Sequence, residues 1–193
     1  MLTIAWDVDD VLNNLMKTWL EYYCQKITSQ FSYTDIKVNP PNELLNISLD
    51  KYLTSLDNFR MSDNAISMEP NAEVLEWMEQ NGATFKHIAL SATSQATARN
   101  GAFWVMKHFG KWINSYNIVP SYRTGETFLK QNETKKDFLQ WIKVVDILID
   151  DNEKNIEQAK ELGIKCFLVS RPWNKDGMKM SEILVELNKL RGE

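Results

Sequence analysis

The chain has 193 residues, enough for one domain carrying an inserted lobe and for a sizeable core. A hydrophobic content of 44% and a charged content of 25% are ordinary globular values, and a formal net charge of -4 argues against general binding to duplex nucleic acid. No apolar run approaches the roughly 20 residues of a membrane span, and MLTIAWDVDD has neither the basic flank nor the apolar stretch of a signal peptide. Cys24 and Cys166 have no partner pattern for a zinc site, so free thiols in a cytoplasmic protein are expected.

Residues 2 to 6, LTIAW, form a short β-branched and aromatic run that stops at Asp7, the pattern of a buried strand. Similar runs are FKHIAL (Phe85 to Leu90), VVDILI (Val144 to Ile149) and KCFLV (Lys165 to Val169). Helical spacing occupies Ala72 to Asn81, Ala98 to Phe109, Lys135 to Ile142 and Asn152 to Leu162. Gly82 and Gly163 stand where left-handed helix ends are expected. Alternating strands and helices, with near-continuous apolar strands, predict an α/β fold: a Rossmann-like parallel sheet with helices on both faces. The stretch 14–67 breaks the alternation. It is rich in aromatics (Trp19, Tyr22, Tyr23, Phe31, Tyr33, Tyr52, Phe59) and interrupted by Pro40 and Pro41. It reads as a mostly helical cap inserted into a core made of 1–13 and 68–193. Most of its aromatics are accounted for by the small core such a lobe needs. His87 and His108 read as structural, and Trp77, Trp104 and Trp141 as core.

Four features carry chemistry. Asp7 and Asp9 fall on the same side of the first strand at its carboxyl end, where the ligands of parallel sheets bind. Two such carboxylates repel unless a cation or a shared proton relieves them, so a metal at Asp7 and a proton on Asp9 form a natural division of labour. Asp150 and Asp151 end a second strand. They can cap the helix beginning near Asn152 and can also converge with the first pair on one hard cation. Ser91-Ala92-Thr93-Ser94 offers hydroxyls and backbone N–H groups suited to a phosphate oxygen. Lys135 and Lys136 open a helix, where a cation opposes the helix dipole and invites a functional reason.

A strand-end DxD, a strand-end Ser/Thr, a helix-borne Lys and a strand-end acidic pair, in this order over nearly the whole chain, resemble the haloacid dehalogenase superfamily of phosphotransferases. ATSQ, FWVMKHFG, ILIDD and RPWN are similar to its 5'(3')-deoxyribonucleotidase branch. The resemblance implies that Asp7 attacks phosphorus and that Asp9 protonates the leaving alkoxide and then activates water. It also implies magnesium held by the Asp7 carboxylate, the Asp9 backbone carbonyl and the Asp150-Asp151 pair, with Asp151 favoured as direct ligand. Ser91 or Thr93 then binds the phosphoryl group, and Lys135 or Lys136 neutralises it. One departure is Asp10-Val11 where the family turn carries Gly followed by Thr or Val. Asp tolerates unusual turn dihedrals, but it adds negative charge near an anionic substrate.

The expected activity is therefore phosphomonoester hydrolysis through an aspartyl-phosphate. A small phosphorylated substrate is implied, with a nucleoside 5'-monophosphate, a deoxyribonucleotide among them, as the first to try. Competing readings are a phosphatase or phosphomutase acting on another small metabolite and a non-catalytic binding protein retaining the fold. Dehalogenases and phosphonatases lack the second aspartate, so Asp9 argues against them.

Overall fold

The computed structural model describes residues 1–27, 30–125 and 132–190, so residues 28 and 29 of the expected lobe lie outside it. Five parallel strands form one sheet in the order β3-β2-β1-β4-β5. They are β1 (Thr3–Trp6), β2 (Lys86–Thr93), β3 (Ile113–Pro120), β4 (Ile147–Asp150) and β5 (Lys165–Leu168). Alternation along the strands sends Ile4, Trp6, Ile147 and Ile149 into one buried cluster and Ala5, Ile88, Leu90 and Leu148 into another. Both faces are covered, as the continuous apolar runs require.

The helices are α1 (Leu15–Ile27), α2 (Leu49–Arg60), α3 (Asp63–Ile66), α4 (Ala72–Asn81), α5 (Gln95–Phe109), α6 (Lys135–Ile142), α7 (Glu153–Lys160) and α8 (Met180–Lys189). The first three belong to the lobe after β1. They enclose a third buried cluster drawn from 15–68, including Trp19, Leu20, Ile36, Tyr52, Leu56 and Phe59. Trp19 and Tyr52 meet edge to face at 5.1 Å, and Tyr22 packs on Phe59 at 5.3 Å. Most of the lobe's aromatics thus hold the lobe together.

Several expectations are corrected. The strand β3 has no counterpart in the sequence reading, because Asn114, Ser115 and Asn117 interrupt its apolar pattern. As an edge strand it pairs with β2 alone and tolerates them. The closing helix α8 was also not anticipated. Strand β2 continues three residues past Leu90, so Ser91, Ala92 and Thr93 lie within it rather than after it. Gly82 is right-handed (φ -56°) instead of left-handed; glycine is required because a Cβ there would lie 2.6 Å from the Trp112 ring. Gly163 has the expected positive φ of 77°. Trp77 and Trp104 are buried, but Trp141 is 67% exposed at the outer edge of α6.

His87 is structural in an explicit sense. Its Nδ1 accepts from Trp6 Nε1 at 3.0 Å, and its Nε2 donates to the Gly82 carbonyl at 2.9 Å. That pattern requires the neutral ring, and burial lowers its pKa accordingly. His108 packs at a tilt against Trp104, with ring centroids 4.8 Å apart, and burial likewise lowers its pKa.

Candidate active site

Sheet register brings the acidic residues together. Trp6 lies opposite Ile149, and the Asp7 N–H donates to the Ile149 carbonyl at 2.9 Å, so Asp7 falls beside Asp150 at the carboxyl edge. Ligand oxygens of Asp7, Asp150 and Asp151 all lie within 4.8 Å of one another, and the three residues are buried. Lys135, the first residue of α6 and only 2% exposed, enters from beside them. Its Nζ lies 2.7 Å from Asp7 Oδ1 and 2.7 Å from Asp150 Oδ2. Burial disfavours the ammonium, but Asp150 and Asp7 more than offset this and raise its pKa. Lys136, one position on, points away from the site and pairs with Glu161.

Asp150 is fully buried. It accepts from the Asn152 N–H at 2.9 Å and from Asn155 Nδ2 at 3.1 Å as well as from Lys135. Asp151 accepts from Trp173 Nε1 at 2.9 Å, and its backbone carbonyl accepts from Asn174 Nδ2 at 2.9 Å. The RPWN segment therefore orients Asp151 from outside. Burial pushes the Asp7 carboxyl well above the usual range, with Asp150, Asp151 and Asp9 adding and Lys135 opposing. The Asp151 carboxyl is pushed up to about 7, first by burial and then by Asp150 and Asp10. Three buried carboxylates against one ammonium leave an excess of negative charge. Hard oxygen donors in that state fit a small divalent cation.

Asp9 is placed differently from the other acids. Its carboxylate is outside the three-carboxylate group and forms a 2.7 Å ion pair with Arg60, the last residue of α2. Asn13 Nδ2 also approaches it at 3.3 Å. Arg60 in turn reaches Asp57 at 3.3 Å, and Asp57 binds Arg123 through two contacts of 2.5 and 2.8 Å. Neither arginine was singled out in the sequence. Arg60 is nonetheless the sole arginine of 14–67, a signal that was available.

Asp10 adopts the left-handed conformation (φ 61°) that the family glycine would suit. Its carboxylate turns to the start of α1 and accepts from the Met16 N–H at 3.1 Å. Arg171 donates to the Asp10 carbonyl at 2.7 Å. Burial pushes the Asp10 carboxyl up to about 7, against the opposing Arg171 charge.

A cleft of about 280 Å³ between sheet edge and lobe is lined by Asp7, Asp9, Asp151, Lys135, Arg60 and Arg123, among others. Of the SATS residues, Ala92 lines it. Ser91 and Thr93, on the opposite side of β2, line a smaller neighbouring pocket. There the Thr93 hydroxyl lies 2.9 Å from that of Thr97.

No family model matches the sequence, and no curated protein matches it. Solved structures do. A haloacid dehalogenase-like hydrolase from Streptococcus pneumoniae superposes with a TM-score of 0.61 at 16% identity, covering 100% of this chain and 92% of that one. The fold is that of the haloacid dehalogenase-like hydrolases. A predicted phosphatase from Clostridium acetobutylicum gives 0.60 at 14% identity, over 98% of this chain and 99% of that one. A haloacid dehalogenase-superfamily hydrolase of subfamily IA from Geobacter sulfurreducens gives 0.53 at 10%, over 97% and 96%. At these identities the likeness establishes the fold alone. The chemistry rests on the side chains described above. Among the described residues no helix is long and apolar enough to cross a membrane.

Proposed function

We propose that the chain is a magnesium-dependent phosphomonoesterase acting through an aspartyl-phosphate on Asp7. The observation that carries this reading is the meeting of Asp7, Lys135, Asp150 and Asp151 at one sheet edge, with Lys135 in hydrogen-bonding distance of Asp7 and Asp150 and with oxygens of the three carboxylates within 4.8 Å of one another. Asp7, Asp150 and Asp151 would hold the cation, with the Asp9 carbonyl as the further ligand the family resemblance implies. When bound, the metal supplies charge that offsets the meeting of a carboxylate nucleophile with a phosphate dianion.

An Asp7 carboxylate oxygen attacks phosphorus as the ester P–O bond breaks, and the alkoxide takes a proton from the Asp9 carboxyl. Asp9, now a carboxylate, removes a proton from water. That water attacks the phosphorus of the acyl phosphate, releasing inorganic phosphate and restoring Asp7. Lys135 holds the attacking carboxylate in place through its contact to Oδ1 and supplies a cation to the transferring group. Ala92, rather than a hydroxyl-bearing residue, is the part of the SATS segment that lines the cleft. Ser91 or Thr93 is assigned a phosphate-binding role reached from the adjoining pocket.

Within this activity the reading favours a nucleoside 5'-monophosphate in the cytoplasm. It is supported by the ATSQ, FWVMKHFG and RPWN resemblance. The test is a panel of deoxyribonucleotides, ribonucleotides and sugar phosphates with magnesium, assayed on the wild type and on Asp7→Asn. Asp7-dependent cleavage of nucleotides above sugar phosphates supports the reading. Equal cleavage of sugar phosphates removes the nucleotide preference and leaves the phosphatase.

A further inference from the structure

Sheet pairing places only part of the oxygen-donor set. Strand β1 ends at Trp6 and β4 at Asp150, and the Asp7 N–H still bonds the Ile149 carbonyl at 2.9 Å. Asp151 and the Asp9-Asp10 turn lie beyond both strands, where strand pairing no longer sets the direction of an oxygen. Like charges held this close push one another apart, so these residues need other partners to keep them in place.

The loop 170–178, between β5 and α8, reaches both strand ends. On the β1 side, Arg171 Nε donates to the Asp10 carbonyl at 2.7 Å, and Arg171 Nη2 donates to the same oxygen. This grips the turn at its left-handed residue (φ 61°), immediately after Asp9. On the β4 side, Trp173 Nε1 donates to Asp151 Oδ2 at 2.9 Å and Asn174 Nδ2 donates to the Asp151 carbonyl at 2.9 Å.

The loop is itself braced. The Arg171 N–H donates to Asn174 Oδ1 at 3.1 Å, the Asn174 N–H donates to the Arg171 carbonyl at 3.1 Å, and Asn174 Nδ2 also reaches the Val169 carbonyl at 2.8 Å. Both polar atoms of the Asn174 amide are therefore engaged. The Ser170 N–H closes the loop on the Met178 carbonyl at 2.8 Å. At Gly177 a Cβ would lie 2.6 Å from Asn174 Oδ1, so glycine is what lets the loop fold back on this brace. The Trp173 ring packs on the buried cluster of the lobe and meets Tyr33 edge to face at 5.9 Å, which fixes the direction from which its N–H reaches Asp151.

We propose that Arg171, Trp173 and Asn174 are positioning residues, and that the loop 170–178 is a clamp that holds the Asp9-Asp10 turn and Asp151 in register for one divalent cation. The inference rests on the magnesium-dependent reading and deepens it. None of the three residues belongs to the acidic group; each acts through the residue it holds. Loss of such outer partners lowers metal affinity by about 10- to 100-fold. A loop that served only to stabilise the fold would change the melting temperature and leave the affinity of the folded protein alone.

The test is calorimetric titration of magnesium into the substrate-free protein, with melting in metal-free buffer as the measure of folding. Trp173→Phe keeps an aromatic ring against Tyr33 and removes the N–H. It is expected to weaken magnesium binding by about tenfold or more with little change in metal-free melting. Arg171→Met is expected to weaken binding similarly, and Arg171→Lys, which can return one donor to the Asp10 carbonyl, to recover part of the loss. In turnover, the magnesium concentration for half-maximal rate should rise with the dissociation constant, while kcat at saturating magnesium changes less. If Arg171→Met does not fold, Trp173→Phe decides the matter. A folded Trp173→Phe with unchanged magnesium affinity overturns the clamp, and magnesium binding by the wild type then leaves the metal reading intact. A wild type that binds no magnesium overturns both.

Discussion

Asp7 and Lys135, one at the end of the first strand and the other at the start of α6, meet at 2.7 Å, and both are buried. The same ammonium holds Asp150, so a single cation ties together two strand ends and a helix. Removing it leaves two buried carboxylates without their countercharge. Lys135→Met is therefore expected to cost about 3 kcal/mol or more of unfolding free energy in metal-free buffer, read by urea titration. A loss near zero would mean that solvent reaches this pair.

Asp9→Asn separates acid catalysis from nucleophilic attack. Turnover of esters with poorly acidic alcohols is expected to fall by roughly 10²- to 10⁴-fold, and that of p-nitrophenyl phosphate much less, because its leaving group needs little protonation. Equal losses on both would contradict the role of Asp9.

Magnesium is expected to raise the melting temperature of the wild type. At a concentration about 100 times its dissociation constant the gain is about 2.7 kcal/mol. Asp151→Asn should remove most of this shift, since it takes one oxygen donor from the three-carboxylate group. A shift retained in full places the ion elsewhere.

His87 gives the fold a pH dependence of known sign. Its folded pKa is lowered by burial, so below the ordinary value of about 6.5 the unfolded chain binds a proton that the folded chain refuses. Its stabilising contribution is thus full above that pH and declines as pH falls towards the folded value. The difference in stability between wild type and His87→Gln should shrink from pH 8 to pH 5 (about 3 units spanning the free-histidine pKa). A difference independent of pH would mean that the ring is not held neutral by Trp6 and Gly82.

The parts legible in the sequence were those written in contiguous residues. Apolar runs announced β1, β2, β4 and β5, and the acids that end β1 and β4 converge because these strands are neighbours in the sheet. The edge strand β3 escaped because an edge needs no continuous apolar run. Trp141 looked like core because its helical spacing is regular, yet α6 turns it outwards. Arg60 and Arg123 converge on Asp57 from distant segments, a meeting that only the sole arginine of 14–67 hinted at, whereas Trp173 lies in the RPWN segment that the resemblance already marked. Ser91 and Thr93 fall on the far side of β2 from Ala92 because the strand runs longer than its apolar stretch, and alternation then decides which residue lines which cavity.

The most direct measurement is a rapid acid quench of the enzyme turning over a phosphomonoester with magnesium, followed by peptide mass mapping. One phosphoryl group on the peptide containing Asp7, absent from Asp7→Asn, is the expected result. Steady turnover with no phosphorylated peptide, or with the phosphoryl group on another residue, would contradict nucleophilic attack by Asp7.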